Sequence, residues 1–337
     1  MATLTHDGVA GNRLRAGLLF AMVSASSFGL SGPLARGLMN AGWSAAAVVA
    51  VRVLLAAAVL LPLALSQLRG NWNLLRANAP LIIAYGLVAV AGTQLAYFNA
   101  VAHMEVGSAL LIEFTAPIAV VGWLWVRHRQ RPGAATVAGA VLGIAGLLLV
   151  LDVVSGLSAD PIGIAWALGS MVGAAAYFVL SAHGVDLPGT VLAAGGLLIG
   201  GITLLLAGIV GIVPLRATTE QVVFADFTTP WWIPILTIGI VTAAIAYATG
   251  IAATRRLGAR LASFVALTEV LAALLFAWAL LAEAPRPIQL LGGTLILIGV
   301  ITVRLGEPTP IPIGDPETPA ATEEPPATTQ PAADHQR

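Results

Sequence analysis

Three ionisable residues stand inside long apolar stretches of this 337-residue chain: Arg52, Glu113 and Glu269. An ionisable group at mid-depth in hydrocarbon costs about 2.5 to 3.5 kcal/mol on insertion scales, so each needs a reason to be there. Glu113 lies about seven residues, roughly 10 Å as helix, inside the outer end of its stretch, and Glu269 about nine residues inside the inner end of its own. Their neighbours on the same helical face are small: Ala109, Ala116 and Pro117 beside Glu113, and Ala262, Ala266, Ala272 and Ala273 beside Glu269. Small residues leave room for a cavity, and they equally suit tight helix packing. A carboxyl in such a cavity binds a substrate ammonium group, a proton, or each in turn, because in low dielectric it can be neutral or charged as access changes. The alternative is a hydrogen bond to a hydroxyl on a neighbouring helix that only fixes packing. Arg52, at a depth similar to Glu113, can neutralise Glu113, hold a substrate carboxylate, or snorkel toward the head groups with a structural partner; the last is the expectation.

Polar stripes at helical spacing extend the candidate surface. They run through Ser24, Ser27, Phe28 and Ser31; through Thr93, Gln94 and Tyr97; through Ser170, Tyr177 and Ser181; and through Tyr247 and Thr254. The substrate-binding candidates are therefore Glu113, Glu269, Gln94, Tyr97, Tyr247, Tyr177 and Ser27. Enzyme chemistry finds little to work with. Gly29-Leu30-Ser31-Gly32 has the form of an intramembrane serine-protease motif, but His6, His103, His128, His183 and His335 all fall in loops, span ends or tails, so no base reaches mid-membrane. No Asp lies inside a span, all sixteen basic residues are Arg, and there is no Cys. Those absences remove a diaspartyl protease, a Walker lysine, a Schiff-base lysine, disulfides and thiolate metal ligands, and no cofactor or metal is expected. A net charge of zero gives no basic patch for nucleic acid.

The elements that must hold these residues are membrane helices. With 58% apolar and 9% charged residues and a mean hydropathy of +0.92, the composition lies outside that of soluble domains. The apolar runs approach twenty residues, a helix's length across the bilayer, and not the ten alternating residues of a barrel strand. Ten spans are predicted: 16–36, 44–66, 80–101, 106–126, 134–151, 161–181, 189–213, 233–253, 260–281 and 287–303. The first resembles a signal peptide but is read as a retained helix. Eleven Arg residues in the connections fall on one side and three on the other, which places both termini in the cytoplasm. Residues 1–15 form a cytoplasmic segment, and the Pro, Thr, Ala and Glu of 305–337 predict a disordered cytoplasmic tail.

The spans repeat. An offset of 153 superposes Ala109 on Ala262, Pro132 on Pro285, Gly139 on Gly292 and Gly146 on Gly299; offsets of 150 and 149 bring Tyr97 to Tyr247 and Phe28 to Tyr177. One unit holds five spans, an odd number, so the second copy enters the membrane upside down. The expected fold is an all-α integral membrane protein of ten helices in two inverted five-helix repeats, 16–151 and 161–304, around a central cavity.

The run LLIEFTAPIAVV at 110–121, after the polar segment TQLAYFNAVAHMEVGSA, resembles the repeat signature of EamA-type transporters of the drug/metabolite transporter superfamily, and is especially similar to bacterial threonine and homoserine exporters. The second copy, LTEVLAALLFAWALLAEAPRP at 267–287, is similar to that family's Glu-Pro pattern followed by Gly-Glu, with Val270 in place of the Pro and Ala282 in place of the Gly. The resemblance implies a secondary transporter of the bacterial cytoplasmic membrane, with a cavity bounded mainly by helices 1, 3, 4, 6, 8 and 9. It implies export of amino acids or related small metabolites; a broad drug or lipid-like efflux pump and a non-transporting scaffold are the alternatives. Expected partners are the small-molecule substrate, protons as coupling ion, the lipid bilayer and, as an assembly open to the chain, a homodimer.

Overall fold

In a computed structural model of the chain, residues 3–101, 103, 106–150, 160–183 and 186–306 are described. The expected tail lies outside them from residue 307 on. The architecture is helical: α1 (Thr3–Asn40), α2 (Ala45–Leu68), α3 (79–101), α4 (106–128), α5 (Ala134–Val150), α6 (Pro161–Ala182), α7 (Gly189–Ile209), α8 (232–266), α9 (Thr268–Leu281) and α10 (Pro287–Gly306). Eight of these are long and apolar enough to cross a membrane, and α5 and α9 are shorter apolar helices. The protein is a multi-pass membrane protein. Leu, Ile, Val and Trp side chains such as Val126, Val141, Leu206 and Leu275 stand outward, as lipid requires.

Helix ends are set by local chemistry. Ser44 caps α2 by accepting from the Ala47 N–H at 3.3 Å, and its hydroxyl also donates to the Pro214 carbonyl at 2.7 Å, tying the start of α2 to the long connection before α8. Asp160 caps α6, with Pro161 in the first turn where its missing N–H costs nothing. At the exits of α4 and α9 the chain turns through left-handed residues, Arg129 at φ 54° and Ala282 at φ 56°, whose N–H groups close on the carbonyls of Leu124 and Ala277.

Three local departures from the sequence reading stand out. The connection 210–231 carries a two-stranded hairpin, β1 (Val222–Val223) paired antiparallel with β2 (Thr228–Thr229). It buries Val222 and Phe224 against Leu38 and Trp43, covering apolar surface at the ends of α1 and α2. The loop expected between 253 and 260 is instead helix, broken only at Gly258 (φ 80°), and the next break comes at Leu267. α1 likewise begins at Thr3, ahead of the expected residue 16.

Interior breaks recur at matching places. α3 widens to a π-helix over Tyr85–Gly92 and α8 over Ile240–Ile245. α4 breaks after Glu113, where the Thr115 hydroxyl donates to the Ile112 carbonyl at 2.6 Å beside Met171 Sδ at 3.2 Å. The Thr268 hydroxyl does the same at the start of α9, donating to Val265 at 2.7 Å with Met22 Sδ at 3.8 Å. Thr115 and Thr268 are 153 residues apart, and Met22 and Met171 are 149 apart, the repeat's own offsets.

α5 and α10 cross at glycines. A Cβ placed on Gly139 would lie 2.6 Å from the Gly299 carbonyl oxygen, and one on Gly292 2.5 Å from that of Gly146, so the backbones touch without side chains between them. Gly146→Val should therefore cost about 2 kcal/mol or more by overpacking against backbone, whereas Gly122→Ala, which meets open space inside a helix, should not lower thermal stability in detergent and should raise it by up to about 1 kcal/mol. Ala282→Gly should raise stability by about 0.5 to 1 kcal/mol in the same assay, since a Cβ is disfavoured at positive φ.

Candidate functional site

The helix interruptions converge on one cavity of about 220 Å³ lined from α1, α2, α3, α4, α6, α8 and α9. Both carboxylates open onto it. Glu113 is the last residue before the break in α4, and Ser170 of α6 donates to its Oε2 at 2.8 Å. Glu269 lies in the first turn of α9, also on the cavity wall, and makes no hydrogen bond with the described residues. The small residues expected around them do leave space: Ala116, Pro117, Ala262 and Ala266 form parts of the lining.

The aromatic wall is built by edge-on packing. Phe28 of α1 meets the Tyr247 ring of α8 at 5.2 Å, and Tyr247 meets Tyr177 of α6 at 5.7 Å, all three facing the cavity. The Tyr177 hydroxyl fits because residue 250 is glycine, and a Cβ there would collide with it. Gln94 and Thr93 of α3 complete the polar lining. Of the predicted residues, Glu113, Glu269, Gln94, Tyr177 and Tyr247 thus share one space. Tyr97 lies outside the lining, packed with Ala100, Ala109 and Ala167, and Ser27 is buried in α1 away from it.

Arg52 corrects the sequence reading. It does not snorkel toward the head groups; it turns inward and lines the cavity, although the family pattern leaves helix 2 off the list of cavity helices. Its Nη1 donates to Ser31 Oγ at 2.8 Å and its Nη2 to the carbonyl of Thr242, within the π-helix of α8, at 3.1 Å. The guanidinium carbon lies 5.6 Å from the Phe28 ring centroid. The Ser170–Glu113 bond is the neighbouring-helix hydroxyl contact given as the alternative for Glu113; which hydroxyl makes it follows only from the packing of α4 on α6.

The serine-protease form at 29–32 has a packing role: a Cβ on Gly29 would lie 2.7 Å from Ala272 Cβ and 2.8 Å from the Glu269 carbonyl oxygen, so α1 and α9 meet there. Among the described residues no group of His, Asp and Glu is placed to hold a metal.

The profile of the EamA-like transporter family matches residues 15–152 and again 161–305. No curated protein matches the chain. A crystal structure of a protein 20% identical in sequence superposes on 88% of this chain and 97% of its own with a TM-score of 0.68, a likeness of fold. Two matches covering most of the chain, each containing one broken helix with a cavity-facing glutamate, place the protein: it belongs to the EamA-like transporter family of the drug/metabolite transporter superfamily.

Proposed function

We propose that the protein exports amino acids or similar small amine-bearing metabolites across the bacterial cytoplasmic membrane by alternating access, with protons as the coupling ion. The observation that carries this reading is the cavity itself, where two glutamates stand on mirrored helix breaks in a space of metabolite size. Similarity to threonine and homoserine exporters in the run Glu113-Phe114-Thr115-Ala116-Pro117 supports an amine as the recognised group.

The proposed topology is ten spans in two inverted five-helix repeats with both termini in the cytoplasm. Its supports are the Arg bias, the 153-residue offset and the glycine crossing of α5 with α10. Gly139 meets Gly299 and Gly292 meets Gly146, so exchanging the repeats maps one contact onto the other, as an antiparallel pair on a two-fold axis requires. Broken helices beside a central site are also how transporter backbones present polar groups at mid-depth.

The two glutamates are given different duties. Glu269 occupies the first turn of its helix, with no hydroxyl holding its orientation, and offers the second carboxylate to the ammonium group. Glu113 ends its helical half and receives the substrate amine or a proton while Ser170 holds its orientation. Gln94, Tyr177 and Tyr247 shape the rest of the site, and Tyr97 and Ser27 back the helices that carry it.

In proteoliposomes Glu113→Gln should slow amine-substrate flux about tenfold or more, the loss of a charge-assisted contact; undiminished flux removes Glu113 from the mechanism. Substrate movement should also change the lumenal pH, and flux that leaves it constant under every imposed gradient rules out proton exchange.

A further inference from the structure

Arg52 is a buried cation with too few partners. A guanidinium carries five N–H donors, and the chain engages this one through Ser31 Oγ and the Thr242 carbonyl. Its Nε is buried with no hydrogen-bond partner, and no carboxylate among the described residues is close enough to pair with it. Glu269 shares the cavity without forming that pair. A buried charge that Glu269 offsets only from a distance, without a contact ion pair, is costly, and a pin between α1, α2 and α8 would need neutral donors only, not a charge. Phe28 holds one face of the guanidinium and the two hydrogen bonds hold its edge, so the group is pre-oriented on the cavity wall before any ligand enters.

We propose that Arg52 is the anion-binding residue of the transport site: it takes the carboxylate of a zwitterionic substrate whose ammonium group is held by the glutamates. This rests on the amine-export reading above and narrows it to molecules that carry both charges. The Arg52 guanidinium, Glu269 and Glu113 then form a cation and two anions around one space, and an entering zwitterion neutralises Arg52 and one glutamate together. An amine that lacks the carboxylate leaves the arginine unpaired in the occupied, water-depleted site, which penalises it.

The test uses the full chain in proteoliposomes with a labelled panel of protein amino acids and their α-carboxamides. Wild type should move the acids about tenfold or more faster than the carboxamides, the range of one charge-assisted contact. Arg52→Gln should erase that preference by slowing the acids while carboxamide flux stays within about twofold, and Arg52→Lys, a point charge without the planar fork, should fall between. A merely structural arginine would slow both classes alike, and that result overturns the proposal, as does an unchanged preference in Arg52→Gln. Wild type that moves acids and carboxamides equally overturns the Arg52 assignment and leaves the amine reading standing; wild type that moves neither overturns both. If Arg52→Gln does not fold, Arg52→Lys decides: a preference reduced severalfold supports the assignment, and an unchanged one defeats it.

Discussion

Hydrocarbon offers no partner to a charge or to a loose backbone group, and the structure is organised by that single constraint. At each interruption a hydroxyl or guanidinium, from the same helix or from a neighbour, meets backbone carbonyls. The π-helix of α3 is closed by the Thr93 hydroxyl on the Val88 and Ala89 carbonyls, and that of α8 by Ser24 on Ala246 and Arg52 on Thr242. Three ionisable side chains share one cavity because a shared cavity is the place in a bilayer where each is tolerable.

The interruptions are also what a transport cycle needs. Helices that are broken beside the site can bend there without losing hydrogen bonds elsewhere, since Thr115 and Thr268 keep the carbonyls at the breaks occupied. Rigid contact is placed apart from them. α5 and α10 touch backbone to backbone at their glycines, a contact that tolerates no insertion and resists sliding. On the proposed inverted topology that crossing is the fixed axis around which the two family repeats exchange their roles.

The sequence was legible where one physical rule dominated. Span length and composition located the apolar helices, and the offsets of 153 and 149 paired residues between the two repeats; carried further, they pair Thr115 with Thr268 and Met22 with Met171 at the breaks. Stripe reasoning fixes a helical face only to within a residue or so, which is why Gln94 lines the cavity while Tyr97, three positions on, packs against α4 and α6. Arg52 was misread because its partners, Ser31 and the Thr242 carbonyl in the π-helix of α8, come together only once three helices are assembled. The hairpin at 222–229 escaped because strands of two residues carry no periodicity, and the continuation of α8 through Leu257 escaped because Arg255 and Arg256 read as a loop.

The central claim is that the space between Glu113, Glu269 and Arg52 is a water-filled substrate site and not a gap in helix packing. The chain has no cysteine, so Ala174→Cys, on the cavity wall, would supply its single thiol. Labelling that thiol with a membrane-impermeant maleimide in sealed vesicles of known orientation is the direct measurement. The account predicts reaction, slowed by saturating transported amino acid. A thiol that stays unreactive from both sides, or that reacts at a rate no amino acid changes, would contradict it.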